Sequence, residues 1–222
     1  METITIPKFR TARRLVMWME RNWHVFSNAG LEPRLPPDRE QVFLKTKKEK
    51  PEEVAACIAR YAGWAGRLSP EIENLLRVHG DSLCAYVRCL KSRDQEAPQD
   101  LVDSLAGDSA NLYRLAKDIG RLPKHLEDTI DNPRYAFLYA KEVLRGRLPR
   151  NLEDVFFKDA YFAARYAFEI IRGFAPVKLP EELHAFMIMK SFEEPDNDHI
   201  RTYMEASESD PDKVGNTDGK VR

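Results

Sequence analysis

The amino-acid sequence predicts an all-α protein: an array of five to six short helix-turn-helix repeats of about 25–34 residues each, with an N-terminal capping helix and a disordered acidic C-terminal tail. Three observations predict it. Residues 121–146 (RLPKHLEDTIDNPRYAFLYAKEVLRG) and 147–173 (RLPRNLEDVFFKDAYFAARYAFEIIRG) share Arg, Leu-Pro, Leu-Glu-Asp, Tyr-Ala and a terminal Arg-Gly. Weaker copies open at residues 34, 67, 97 and 178, and the prolines Pro36, Pro70, Pro98, Pro123, Pro149 and Pro180 stand 34, 28, 25, 26 and 31 residues apart. Self-similarity at such periods marks repeat architectures, in which one unit cannot bury its apolar face alone. Finally, apolar residues recur at helical spacing, and the only alternating run, residues 3–6, is too short to matter as a strand.

Taken in chain order, residues 1–33 form a capping helix with Leu15, Trp18, Met19, Trp23 and Phe26 on one face and Gly30 as terminator. Residues 34–206 form the repeat domain. In each copy, proline fits the first helical turn, where its missing N–H has no partner to lose. Glu127-Asp128 and Glu153-Asp154 follow, near the positive end of that first helix. The first helix is expected to run two to three turns and to offer Leu126, Ile130, Leu152, Val155 and Phe156 to the core. Asp131-Asn132-Pro133, Asp159, Asp81 and Asp108 are the N-caps of the second helices. Those carry Tyr135, Ala136, Tyr139, Ala140, Val143 and Leu144 in one copy and Phe162, Ala163, Tyr166, Ala167, Ile170 and Ile171 in the next. Gly146 and Gly173 are expected to end them in the left-handed conformation. Residues 207–222 hold too little apolar surface to offset their ordering entropy and are expected to be a disordered tail.

The 222 residues carry 35 Lys+Arg against 36 Asp+Glu, and this near-balance excludes a surface that is basic throughout. Charge is uneven, however: residues 1–50 hold eleven Lys/Arg and six Asp/Glu, whereas residues 193–222 hold four and nine. Cys57, Cys84 and Cys89 have no disulfide-framework spacing and read as reduced thiols, which points to the cytoplasm. The N-terminus has no apolar signal segment, and no window approaches the length of a membrane span.

The string YAFLYAKEVLRGRLPRNLE, residues 135–153, resembles a repeat of uncharacterised phage and bacterial α-helical proteins, Tyr-Ala-x-x-Tyr-Ala-x-x-Val-Leu-x-Gly-Arg-x-Pro-x-x-Glu. The resemblance spans about residues 67–190 and is strong over 121–173. It implies a helical repeat and a phage origin, and it brings no assigned activity and no catalytic residues. Many such copies have Trp after Gly-Arg, where this chain has Leu148 and, in the preceding copy, Leu122.

No catalytic or cofactor pattern emerges. His24, His79, His125, His184 and His199 lack metal-ligand spacing, and Cys84 and Cys89 lack a second pair. GxGxxG, GxxxxGK[ST] and GxSxG do not occur. Asp196-Asn197-Asp198 begins like a calcium loop, yet the sixth position has no Gly. The recurrence of the Glu-Asp pairs at one place per copy points to scaffolding. Two sets of residues remain as candidate binding positions. Arg10, Arg13, Arg14, Trp18 and Arg21 lie on the basic-aromatic first helix, and Arg121, Arg147 and Lys178 stand before the Leu of successive copies, as do Arg34 and Arg67. Such a cation either pairs with last-turn carbonyls or a nearby Glu, or forms a ladder for a phosphate backbone or acidic partner. The expected function is therefore non-enzymatic protein–protein interaction by a phage-encoded chain, either binding a host factor or serving as a virion component. A nucleic-acid-binding module led by the first helix is the alternative. No cofactor, metal, membrane or small-molecule substrate is expected.

Overall fold

A proline step followed by a short polar-apolar run starts a helix at each expected place. The computed structural model describes residues 6–46, 49–171 and 179–208, and all regular structure among them is helical. The chain forms two compact units, Met1–Ile119 and Gly120–Arg222, a division that falls inside the stretch 34–206.

In the first unit, α1 (Ala12–Asn28) starts at Thr11, whose hydroxyl accepts the Arg14 N–H at 3.3 Å. The Glu49 carboxylate accepts the Ala12 and Arg13 N–H groups at 2.7 and 3.0 Å, an anion at the positive end of the helix dipole. Gly30, at φ 65°, follows the helix end as expected. Leu15, Met19 and Phe26 are buried, with Ala12 and Val16 beside them. Trp18 is half-buried between Phe9 and Phe26, at 5.6 and 6.1 Å between ring centres. Trp23 stays 45% exposed although its helical angle suits the buried stripe, because angle alone does not supply a neighbour. Short helices α2 (Pro37–Glu40) and α3 (Val42–Lys45) lead to α4 (Pro51–Ala65); α5 (Pro70–Glu73) leads to α6 (Gly80–Lys91), and α7 (Gln99–Val102) to α8 (Ser109–Ile119). The longer helices pack in sequence, α1 on α4, α4 on α6 and α6 on α8.

The second unit repeats the scheme with α9 (Lys124–Glu127), α10 (Pro133–Leu138), α11 (Arg150–Glu153), α12 (Ala160–Glu169), α13 (Glu181–Glu193) and α14 (Asp198–Glu208). Here α10 packs on α12, and α12 on α13 and α14. Asn132 and Asp159 cap as expected, each accepting two backbone N–H groups of the following turn. Asp108 accepts the Asn111 N–H at 3.1 Å. Asp81 does not cap: it lies inside the first turn of α6, behind His79, and pairs with Arg114.

Three further expectations are corrected. The first helix of the copy at 121 is a single four-residue turn, whereas those at 67 and 147 continue directly into a 3₁₀ segment (Asn74–Leu76 and Asp154–Lys158) and reach the expected two to three turns. The left-handed residue after α10 is Arg145, at φ 51°, because Tyr139–Leu144 forms a π-helical turn that shifts the end one residue early; Gly146 does not have positive φ. Val143 and Leu144, in that wider turn, are only half-buried, while Phe137 takes a core place. Gly173 and the tail segment 209–222 lie outside the described residues, and α14 runs through 207–208.

Candidate functional site

The arginines that open the copies meet a buried carboxylate six residues later. Arg147 donates to Glu153 through Nε and Nη2 at 2.7 and 3.0 Å, and Arg121 donates to Glu127 in the same way at 3.2 and 3.0 Å. Arg67 grips Glu73 with Nε and Nη2, and Arg34 reaches Glu40 through Nε. Each Glu is at most 3% exposed, so it needs compensating partners. The second partner is a tyrosine from the following long helix: Tyr166 donates to Glu153 and Tyr139 to Glu127, both at 2.8 Å. Tyr61 does so to Glu40 at 3.0 Å, and Tyr86 to Glu73.

The same hydroxyl accepts the N–H of the Leu just after the arginine, at 2.8 Å for Leu148 and Leu35, 3.2 Å for Leu122 and 3.3 Å for Leu68. That N–H precedes the short helix, is buried with its residue, and has no helical acceptor. Burial, above all, raises the pKa of all four phenols, and the hydrogen-bonded Glu adds to the shift. An Arg–Glu–Tyr–Leu clasp thus ties each short helix to the long helix of its own copy. Two copies vary it. At the corresponding places of the third copy stand Glu96, Ala97, Val102 and Leu115, of which Val102 and Leu115 are buried. In the last copy, His184 replaces the Glu and meets the Tyr203 hydroxyl at 2.7 Å, which also takes a backbone hydrogen bond from Leu179. Lys178 lies outside the described residues.

Arg121 and Arg147 therefore stand where the sequence places them, before the Leu, with their charge offset by a carboxylate beneath. Arg10, Arg13, Arg14 and Arg21 are exposed on and before α1, and none has an ion pair among the described residues. Trp18 contributes to the packing under them, and the exposed apolar groups on that helix are Met17 and Trp23.

A site the sequence reading missed lies on the outer edge of the short helices. In the second unit a cleft of about 790 Å³ is lined by Arg150, Asn151, Asp154, Phe157, Pro180, Glu182 and Leu183, with Glu153 at its floor. Arg150 reaches Glu182 at 3.4 Å, and both side chains are largely exposed (81% and 65%). Phe157 lies edge-on to Phe186 at 5.6 Å and keeps 38% exposure. In the first unit the corresponding cleft measures about 140 Å³ and is lined by Pro70, Asn74, Arg77, Pro98, Asp100 and Leu101, with Arg67 and Glu73 beneath. Counted from the opening Arg or its counterpart, the positions coincide: Asn74 with Asp154, Arg77 with Phe157, and Asp100 with Glu182. The Arg77 guanidinium fills the smaller cleft, donating to Asn74 Oδ1 and the Asp100 carbonyl at 2.8 and 2.7 Å, and to the Asp100 carboxylate. Aligning the copies at these outer positions is the sequence signal that finds this site.

Among the described residues no cluster of His, Cys, Asp and Glu could hold a metal ion, and no helix is long and apolar enough to cross a membrane. Cys57, Cys84 and Cys89 are free thiols; burial pushes the Cys84 pKa up to about 12. The chain matches no protein-family profile, and neither characterised proteins nor solved structures match it.

Proposed function

We propose that this is a non-enzymatic protein-binding protein that engages its partner through the outer edge of its short helices, centred on the cleft between residues 150 and 183. The observation that carries this reading is the cleft itself, which joins a partly exposed aromatic ring, Phe157, to the carboxylates of Asp154 and Glu182. An apolar anchor ringed by polar groups is the composition of a protein-recognition patch. The free thiols support a reducing, cytoplasmic setting, and the resemblance of residues 121–173 to phage repeats supports a host factor or a virion neighbour as the partner.

A second reading has its own observation. Arg13, Arg14 and Arg21 are exposed on one basic helix with Met17 and Trp23, and Arg10 is exposed just before it, a pattern that suits a nucleic-acid backbone. Purifying the wild type, Phe157→Arg and Arg13→Ala/Arg14→Ala proteins side by side at low salt, with and without nuclease, separates the two. The cleft reading expects a stoichiometric protein that is lost from Phe157→Arg and kept by the double arginine variant. Nucleic acid that leaves at high salt and is lost only from the arginine variant would replace it with the second reading.

A further inference from the structure

The two clefts are one feature in two states of occupation by the chain's own side chains. Where the first unit has Arg77, the second has Phe157; where the first unit offers Asn74 and Asp100 as acceptors, the second offers Asp154 and Glu182. The acceptor set has become more acidic, while the cation that satisfies it in the first unit has been exchanged for an aromatic ring. The cleft is correspondingly larger, about 790 against 140 Å³. Asp154 has no hydrogen-bond or ion-pair partner among the described residues. Asn151 points its amide the other way, donating to Asp128 at 2.7 Å.

From this we infer that the cleft between residues 150 and 183 takes an arginine side chain from a partner protein, in the place that Arg77 occupies in the first unit. The inference rests on the protein-binding reading above and names the chemistry of its partner. A guanidinium suits the set better than an ammonium. Its planar fork can divide its donors between two neighbouring acceptors, as Arg77 does between the Asn74 amide oxygen and Asp100, and here both acceptors are carboxylates. Its face can also lie on Phe157, as that of Arg165 lies on Phe137 at 4.5 Å. Among the described residues the only cation lining the cleft, Arg150, makes one long contact to Glu182 between two mostly exposed groups, a weak pair that a bidentate ligand displaces.

The test is an NMR titration of the full chain with N-acetyl-arginine amide, its lysine analogue and its citrulline analogue. The arginine compound should shift the amides of Asp154, Phe157 and Glu182 with a dissociation constant on the order of millimolar, as befits a single side chain. The lysine analogue should bind several-fold more weakly and citrulline not at all. Asp154→Asn/Glu182→Gln, two conservative changes at exposed positions, should weaken arginine about tenfold. Phe157→Arg should abolish binding by restoring the internal arginine, and should keep or raise the melting temperature. Arginine and citrulline shifts of equal size, shifts outside the cleft, or undiminished binding to Phe157→Arg would overturn the inference. If a protein partner docks at the cleft while the arginine probe does not bind, the arginine inference fails and the protein-binding reading stands.

Discussion

The hydroxyl of Tyr166 serves two buried groups at once, donating to Glu153 and accepting from Leu148 N–H, both at 2.8 Å. Tyr166→Phe leaves the Leu148 N–H without its acceptor and Glu153 with Arg147 alone, and an unsatisfied buried group costs about 1–3 kcal/mol. Urea unfolding of this variant should show a lower midpoint at unchanged slope. The same contacts set a pH dependence. Burial raises the pKa of Tyr61, Tyr86, Tyr139 and Tyr166 above the ordinary value of about 10 and pushes Tyr203 up to about 12. The folded chain therefore keeps protons that the unfolded chain sheds. The resulting stability is complete below about pH 10 and falls as the pH rises from there through the raised folded values. Phenolate absorbance should accordingly show five of the eight tyrosines ionising only as helical circular dichroism is lost; eight that titrate together in a folded chain would contradict the clasps.

At the scale of the element, the clasp has a natural apolar alternative. Where the copies at 121 and 147 have Glu and Tyr, the third copy has Val102 and Leu115. Replacing a buried charged group together with its partners by apolar side chains is often neutral, whereas removing one partner alone is costly. Glu153→Val should thus destabilise the second unit, and Glu153→Val/Tyr166→Leu should recover much of the loss in the same melting experiment; a double variant worse than the sum of its parts would show the pair acting otherwise. Much of each element could be read in advance. Proline steps placed the helix starts, and Asn132, Asp108 and Asp159 announced the caps, because these signals act within a few residues. The link from Glu153 to Tyr166 spans thirteen residues and shows no periodicity, so it became visible only with the fold. The shortness of α9 and the left-handed Arg145 were equally hidden, since each depends on what packs against the turn. The cleft depends on outer positions of neighbouring copies, where reading along one helix face reveals nothing.

For the whole molecule, hydrogen bonds divide into two kinds. The clasps hold the copies at 34, 67, 121 and 147 together, while exposed pairs such as Arg88–Asp118, Lys141–Glu169 and Asn151–Asp128 join one copy to the next within a unit. Exposed pairs contribute little individually, which leaves cohesion between copies to apolar packing of the long helices. The surface where neighbouring short helices meet lies outside the clasps, so a repeat protein can acquire a partner there while its clasps stay the same. The most direct test of the protein-binding account is site-specific photo-crosslinking in the native host, with a photoreactive phenylalanine at position 157 and, in a separate chain, at position 21. The account predicts one protein adduct from position 157 that arginine analogues suppress. Nucleic-acid adducts from position 21, with none from position 157, would contradict it.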